Sequence, residues 1–279
     1  MKKINKSLPP NPLTEFAEHN PNGNWDDFRN ARQPYDDLKR QMLQDQGGIC
    51  AYCEKKFSDA SQSQRIEHFH DKSDMNSEHN WALDWNNVLL VCLGGSTPED
   101  KKQYSPNHLS CDAHKGTIKT LPAACEGYFL NPIHIQTTAC LFIFDKATGK
   151  LLVNCDVCQQ LAMDNLSNQY GDDWCMLAEQ TINVLNLNCE RLCKDRLEVL
   201  RFYNRRIKKY REMKDGAGLS KLSESVFRNQ FPEFFTTWRS LLGKHAEEYL
   251  QSIAYNGYAN AAWFIVPRNP HITRNLKAV

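Results

Sequence analysis

The feature that most constrains this fold is a Cys-x-x-Cys pair, Cys50 and Cys53, followed by Cys92 and Cys111. A two-residue spacer lets two thiolates face one ion from a tight turn, and zinc prefers four soft ligands in tetrahedral geometry. Because four thiolates leave no open position for a substrate, the pattern predicts a structural zinc ion. The alternative is that these are buried reduced cysteines, which pack as small hydrophobic residues.

The composition restricts the classes of protein that remain. Eleven cysteines, an odd number, together with a basic N-terminus that leads into Pro and Asn residues, argue against a secretory signal and a disulfide framework. No run of about eighteen apolar residues occurs, so we expect a cytoplasmic protein without a membrane span. The formal net charge is only +1, so any contact with nucleic acid must depend on local charge.

The hydrophobic pattern predicts an α+β protein that is mostly helical. Residues 1–23 are rich in Pro, Asn and Gly and are expected to form an extended arm. Strand-like runs at Arg65–Phe69 and Val88–Cys92, followed by a helix over Cys111–Ile118, give the order of a ββα-metal unit. The predicted segments are an N-terminal arm and helices (1–48), the ββα-metal module (49–120), a linker with a hairpin (121–173) and a C-terminal helical region (174–279).

Glu67 and His68 are the first candidates for chemistry in this module. Phosphodiester hydrolysis needs an activated water, which a neutral imidazole can supply, and a hard divalent ion held by oxygen ligands near the phosphate. Adjacent residues on a strand point to opposite faces, so a bulge or twist would be needed to bring both side chains to one site. Taken alone, the pair is typical of a surface strand.

The order Cys-x-x-Cys, Glu-His, Asn, Cys-x-x-x-Lys resembles the zinc-supported HNH endonucleases. The resemblance implies a ββα-metal fold with a structural Zn²⁺ ion and a catalytic Mg²⁺ or other divalent ion. It implies that His68 deprotonates water, that Glu67 binds the catalytic ion, and that Asn87 is the central asparagine, with Asn86 as the alternative register.

The last position of this motif is open between two residues. Asp112 directly follows Cys111, as the family pattern requires, and Lys115 fits the same register. His114 has the expected residue type but lies two residues late. We expect Asp112 to be the metal ligand and His114 to be a phosphate contact or the alternative ligand.

Three further stretches resemble the nuclease subunit of Septu anti-phage systems, some of which are encoded beside retrons. They are Gly48–Glu54, Trp85–Cys92 and Ile182–Asn188 with Arg191-Leu192, within a similarity that spans about residues 25–215. This resemblance implies a toxic effector that cuts DNA, or RNA such as tRNA. It also implies an SMC/ABC-type ATPase partner and, in a retron, a reverse transcriptase with its multicopy single-stranded DNA.

A basic segment, Arg191–Lys214, contains ten Lys or Arg residues against three acids. Its densest part is expected to grip phosphates, although a solvated helix face or a face for an acidic partner is an equal alternative. The candidate nucleic-acid contacts are Arg205, Arg206, Lys208 and Lys209.

The alternative function is a zinc-stabilised adaptor that binds nucleic acid or protein without turnover. A weaker alternative is a thiol redox protein that uses a second Cys-x-x-Cys pair, Cys155 and Cys158. That pair has no clear second half, and we expect ordinary packing for it.

Overall fold

A computed structural model of the chain describes residues 1–8, 10–58, 63–74, 78–104, 106–137, 140–160 and 173–256. Over these residues the fold combines helices with two small antiparallel sheets, and roughly half of the positions are helical. Across the same ranges, none of the helices has the length and apolar character needed to cross a membrane.

The N-terminal segment begins with a helix, α1 (Pro12–His19), and the expectation of an extended arm over residues 1–23 is therefore wrong there. Asn11 caps α1 through its side-chain oxygen, and proline at the first helical position is already set to a helical φ angle. Two further helices follow, α2 (Trp25–Asn30) and α3 (Arg32–Gln46). Gly47, with a φ of 69°, ends α3 and directs the chain into Cys50.

The predicted strand pair is confirmed as β1 (Gln64–His68) and β2 (Val88–Cys92), which pair antiparallel with His68 opposite Val88. All five residues of β2 are buried. The Gln46 side chain covers the other edge of β2: its oxygen lies 2.8 Å from the Leu90 amide nitrogen, and its nitrogen lies 2.7 Å from the Leu90 carbonyl oxygen. This contact satisfies backbone groups that would otherwise be buried without partners.

Short helices follow β2. They are α4 (Pro98–Gln103) and α5 (Cys111–Lys115), and α5 ends three residues before the predicted limit at Ile118. The predicted hairpin is confirmed as β3 (Phe142–Phe144) and β4 (Leu151–Val153), which leads into α6 (Cys155–Gln160).

The predicted C-terminal helical region contains five helices within residues 173–256. One hydrophobic core extends from the N-terminal helices through β2 to the first of these five, and a second core lies among the others around Phe227, Phe231 and Phe235. Residues 257–279 of the predicted region lie outside the described residues. The five helices are α7 (Trp174–Val184), α8 (Glu190–Glu212), α9 (Gly218–Phe227), α10 (Phe235–Leu242) and α11 (Lys244–Ser252).

Candidate active site and metal centre

The four predicted zinc ligands meet at one buried point. The sulfur atoms of Cys50, Cys53, Cys92 and Cys111 all lie within 4.8 Å of one another. The Cys53–Cys92, Cys92–Cys111 and Cys50–Cys111 sulfur pairs are 3.6, 3.8 and 3.9 Å apart. A tetrahedral site with zinc–sulfur bonds of about 2.3 Å has sulfur–sulfur edges of about 3.8 Å. The cluster is therefore compatible with a structural metal ion such as zinc.

The backbone around the cluster is shaped to aim the thiols inward. Glu54, directly after the Cys-x-x-Cys turn, has a φ of 64°, and Cys111 has a φ of 55°. This left-handed region is costly for residues other than glycine, so other contacts must hold it. The Cys111 N–H donates to the Leu185 carbonyl at 2.8 Å, which ties the start of α5 to the end of α7.

The protonation of the four thiols depends on whether a cation is bound among them. Burial raises the pKa of Cys50 and Cys111, whereas hydrogen bonds from the other three thiols, with Cys111 the largest contributor, lower the pKa of Cys92. Without a cation, these effects favour the thiolate at Cys92 and the thiol at Cys50 and Cys111, whereas four thiolates would need a metal ion to balance their charge. Within the described part of the chain, no other set of ligating side chains converges in this way, and Cys155 and Cys158 lie apart on α6.

An open cleft of about 390 Å³ lies beside the cluster. Cys92 ends β2, and Cys111 directly precedes Asp112, so the cluster holds one wall of the cleft in place. Three of the predicted functional residues line the cleft, namely Glu67, His68 and Asp112. Other lining residues are Trp25, Asp71, Lys72, Lys115 and Cys125.

Two carboxyl groups face each other in this cleft, each beside a cation. The carboxyl groups of Glu67 and Asp112 lie close enough to interact electrostatically. Lys115 Nζ lies 2.6 Å from Glu67 Oε1, and Arg65 Nη1 lies 3.1 Å from Asp112 Oδ2. Burial raises the pKa of Glu67 to about 8 and, with the help of Asp112, outweighs the opposing effect of Lys115. Paired carboxylate oxygens of this kind suit a hard divalent ion such as Mg²⁺.

His68 is a neutral imidazole whose Nε2 is held by the backbone. Its Nε2 lies 3.1 Å from the Ala82 carbonyl oxygen, which can only accept a proton, so Nε2 carries the hydrogen and Nδ1 keeps its lone pair. Burial lowers the pKa of His68 to about 4, so the ring is neutral at neutral pH. Trp25 packs edge-on against the imidazole, with ring centroids 4.5 Å apart, and fixes its plane.

Asn87 braces the backbone and is not among the residues that line the cleft. Its Oδ1 accepts from the His70 N–H at 2.7 Å, and its Nδ2 donates to the His70 carbonyl at 3.0 Å. Its own carbonyl accepts from the Phe69 N–H at 2.9 Å. The side chain is buried and its amide is used by the backbone, so Asn87 holds the chain that follows His68. Asn86, the alternative register, is exposed.

The structure separates the two candidates for the last motif position. Asp112 lines the cleft, whereas the His114 ring turns to α7 and places Nδ1 2.9 Å from the Val184 carbonyl oxygen. Arg65 was missed by the sequence reasoning, although it lies two residues before Glu67 and so on the same face of β1. The contact of Trp25 with His68 could not be predicted from the sequence, because Trp25 lies on a separate helix, α2.

The predicted nucleic-acid contacts lie on α8 and are not among the residues that line the cleft. Arg205, Lys208 and Lys209 are exposed. Arg206 is half-buried against the Tyr210 ring, with its Nη2 3.4 Å from the hydroxyl oxygen. A largely solvated basic face is thus available on this helix.

Fold and site together define a protein in which a strand pair and a short helix meet at a four-cysteine centre beside a cleft lined by carboxylates and a histidine. No protein-family model matches the chain. A curated Escherichia coli protein, "Retron Ec83 putative HNH endonuclease", is 35% identical over 252 residues, which cover 87% of this chain and 93% of the relative. The chain therefore belongs to the family of this HNH endonuclease.

Loss of the structural metal should unfold the module. Because a structural zinc site contributes on the order of 10 kcal/mol, comparable to the stability of a whole domain, Cys50→Ser should leave a metal-free, poorly folded protein. Metal analysis of the purified wild type should find about one zinc ion per chain, and a strong chelator should lower the melting temperature. Cys193→Ser, at a buried cysteine outside the cluster, is the matched control. A metal-free wild type that melts at an unchanged temperature would contradict the assignment.

The raised pKa of Glu67 gives a signed pH dependence for binding of a divalent ion in the cleft. Below a pH of about 8 the ion must displace a proton from Glu67, so Mn²⁺ affinity should fall about tenfold per pH unit on acidification. Because the pKa of His68 is about 4, that residue stays neutral throughout. Calorimetric titration of Mn²⁺ between about pH 6 and pH 9 measures the slope, and Glu67→Gln should abolish it. A constant affinity below a pH of about 8 would show that Glu67 is already ionised.

Proposed function

We propose that this protein is a metal-dependent HNH endonuclease that hydrolyses phosphodiester bonds in nucleic acid, either DNA or RNA such as tRNA. The observation that carries the proposal is that a neutral histidine and two facing carboxyl groups converge on one open cleft beside the four-cysteine centre. The name of the Escherichia coli relative supports the same activity.

In this proposal each residue has one task. His68 accepts a proton from the attacking water at Nδ1, while its Nε2–H remains bound to the Ala82 carbonyl. Glu67 and Asp112 would hold Mg²⁺ or another divalent ion. When bound, that ion stabilises the negative charge on the phosphate and on the leaving oxygen. Asn87 keeps the backbone after His68 in place, and the zinc centre holds Asp112 opposite Glu67.

We further propose that the enzyme is the toxic effector of an anti-phage defence complex in the cytoplasm. The retron setting in the name of the Ec83 relative supports a retron association. The resemblance to Septu nuclease subunits supports an SMC/ABC-type ATPase partner. In a retron, the further partners would be a reverse transcriptase and its multicopy single-stranded DNA.

His68→Ala should lower cleavage by about 10²- to 10⁴-fold, the usual contribution of a general base. Induced expression followed by sequencing of the ends of cleaved DNA and RNA measures both the activity and the type of substrate. The zinc content of the variant should stay at about one ion per chain, because His68 lies outside the cysteine cluster.

The matched control is His134→Ala, since His134 is exposed and is not among the residues that line the cleft. It should cleave like the wild type. Full cleavage by His68→Ala would refute the assignment of the base. If changes at Glu67 and Asp112 also had no effect while Cys50→Ser did, the protein would be the zinc-stabilised adaptor.

The basic face of α8 is proposed to grip phosphates. Arg205→Glu combined with Arg206→Glu should weaken nucleic-acid binding and reduce the log–log salt slope by about 1 per lost contact. Arg228→Glu combined with Lys244→Glu reverses charge at two exposed positions outside α8 and serves as the control. Unchanged binding to nucleic acid and to the ATPase by the α8 variant would make this helix an ordinary solvated face.

A further inference from the structure

The side-chain nitrogen of Lys115 contacts three oxygen atoms beside the cleft. Its Nζ lies 2.6 Å from Glu67 Oε1, 2.8 Å from the His68 carbonyl oxygen and 2.8 Å from the Phe69 carbonyl oxygen. The side chain is only 11% exposed. The ring centroids of Phe69 and Phe129 each lie 5.8 Å from Nζ. An ammonium group has three N–H donors, and these three oxygens use all of them.

The two carbonyl contacts reveal the path of the backbone. In an extended strand, consecutive carbonyl groups point to opposite edges, so the carbonyls of His68 and Phe69 could not both reach one nitrogen. The consecutive N–H groups of Phe69 and His70 likewise both point to Asn87. The chain therefore leaves the extended path at Phe69, directly after β1, and turns there between Lys115 and Asn87.

Glu67 and His68 are neighbours on β1, and Lys115 contacts both of them. On a regular strand Glu67 and His68 would face opposite sides, yet both line the same cleft. Lys115 holds the Glu67 carboxylate and the His68 carbonyl through the same nitrogen, which fixes the relation between the two side chains.

We propose that Lys115 is a positioning residue that ties the Glu67 carboxyl group to the backbone of His68 and thereby sets the two residues in register for hydrolysis. The proposal rests on the proposed nuclease function. Because all three N–H donors of Lys115 are used within the protein, it does not contact the phosphate. Its loss should therefore lower the rate of the chemical step and leave substrate binding intact.

The test compares Lys115→Met, which keeps the length but removes the donors, with Lys115→Arg, which keeps the charge. The planar guanidinium cannot direct three donors to three convergent oxygens, so both variants should fail. Each should lower kcat by about 100-fold and change KM for nucleic acid by less than about threefold. Zinc content should stay at that of the wild type. Lys119→Met, at an exposed lysine four residues further along the chain, should behave as the wild type.

A second readout requires no turnover. Nitrogen-15 NMR of the histidine rings should report the Nε2–H tautomer of His68 in the wild type. Lys115→Met should show a mixture of tautomers, because without Lys115 the imidazole is no longer held in position to donate to the Ala82 carbonyl. If Lys115→Met does not fold, Lys115→Arg provides the same measurement.

Three results would overturn the role of Lys115. They are a raised KM with unchanged kcat, full activity of Lys115→Arg, or an unchanged His68 tautomer in a variant that lacks the lysine. Failure of the nuclease proposal is distinct, because it would appear as a wild type without cleavage or as an active His68→Ala. The tautomer measurement decides the positioning role in either case.

Discussion

Four thiols that meet at one point hold together segments that are far apart in the sequence. The Cys-x-x-Cys turn, the end of β2 and the start of α5 share this centre. A two-stranded sheet is only marginally stable in water by itself, and α5 has just five residues, so neither element would keep its place alone. A metal ion bound to the four thiolates would supply the missing free energy and would thereby fix the distance between Glu67 on β1 and Asp112 on α5.

The cleft beside this centre combines burial with paired charge. Two neighbouring carboxyl groups, those of Glu67 and Asp112, are each accompanied by a cation, Lys115 or Arg65. Burial favours the uncharged forms of both Glu67 and His68. For His68 this is the form that a base requires, whereas Glu67 must lose its proton before it can hold a divalent ion. Burial therefore keeps His68 in the neutral form that a base requires, whereas it opposes the ionised form of Glu67 that a divalent ion requires.

Much of this site could be predicted from the sequence, because short spacings and alternation encode it locally. The Cys-x-x-Cys turn, the two strands and the hairpin follow from such local signals. The expected arm over residues 1–23 was wrong because the cap at Asn11 outweighs the Pro- and Asn-rich composition. The turn at Phe69 depends on tertiary contacts of Lys115 and Asn87 with the backbone, and such contacts produce no periodic pattern in the sequence. The direction of His114 depends on the Val184 carbonyl, seventy residues away.

The central claim is that the cysteine cluster is a scaffold and that the ion for chemistry binds between Glu67 and Asp112. Anomalous diffraction from crystals soaked in Mn²⁺ tests it most directly, since zinc and manganese can be told apart at their absorption edges. The account predicts zinc among the four sulfur atoms and manganese bound by the carboxylates of Glu67 and Asp112, within reach of His68 Nδ1. Manganese bound elsewhere, or a cysteine cluster without metal in the folded protein, would contradict it.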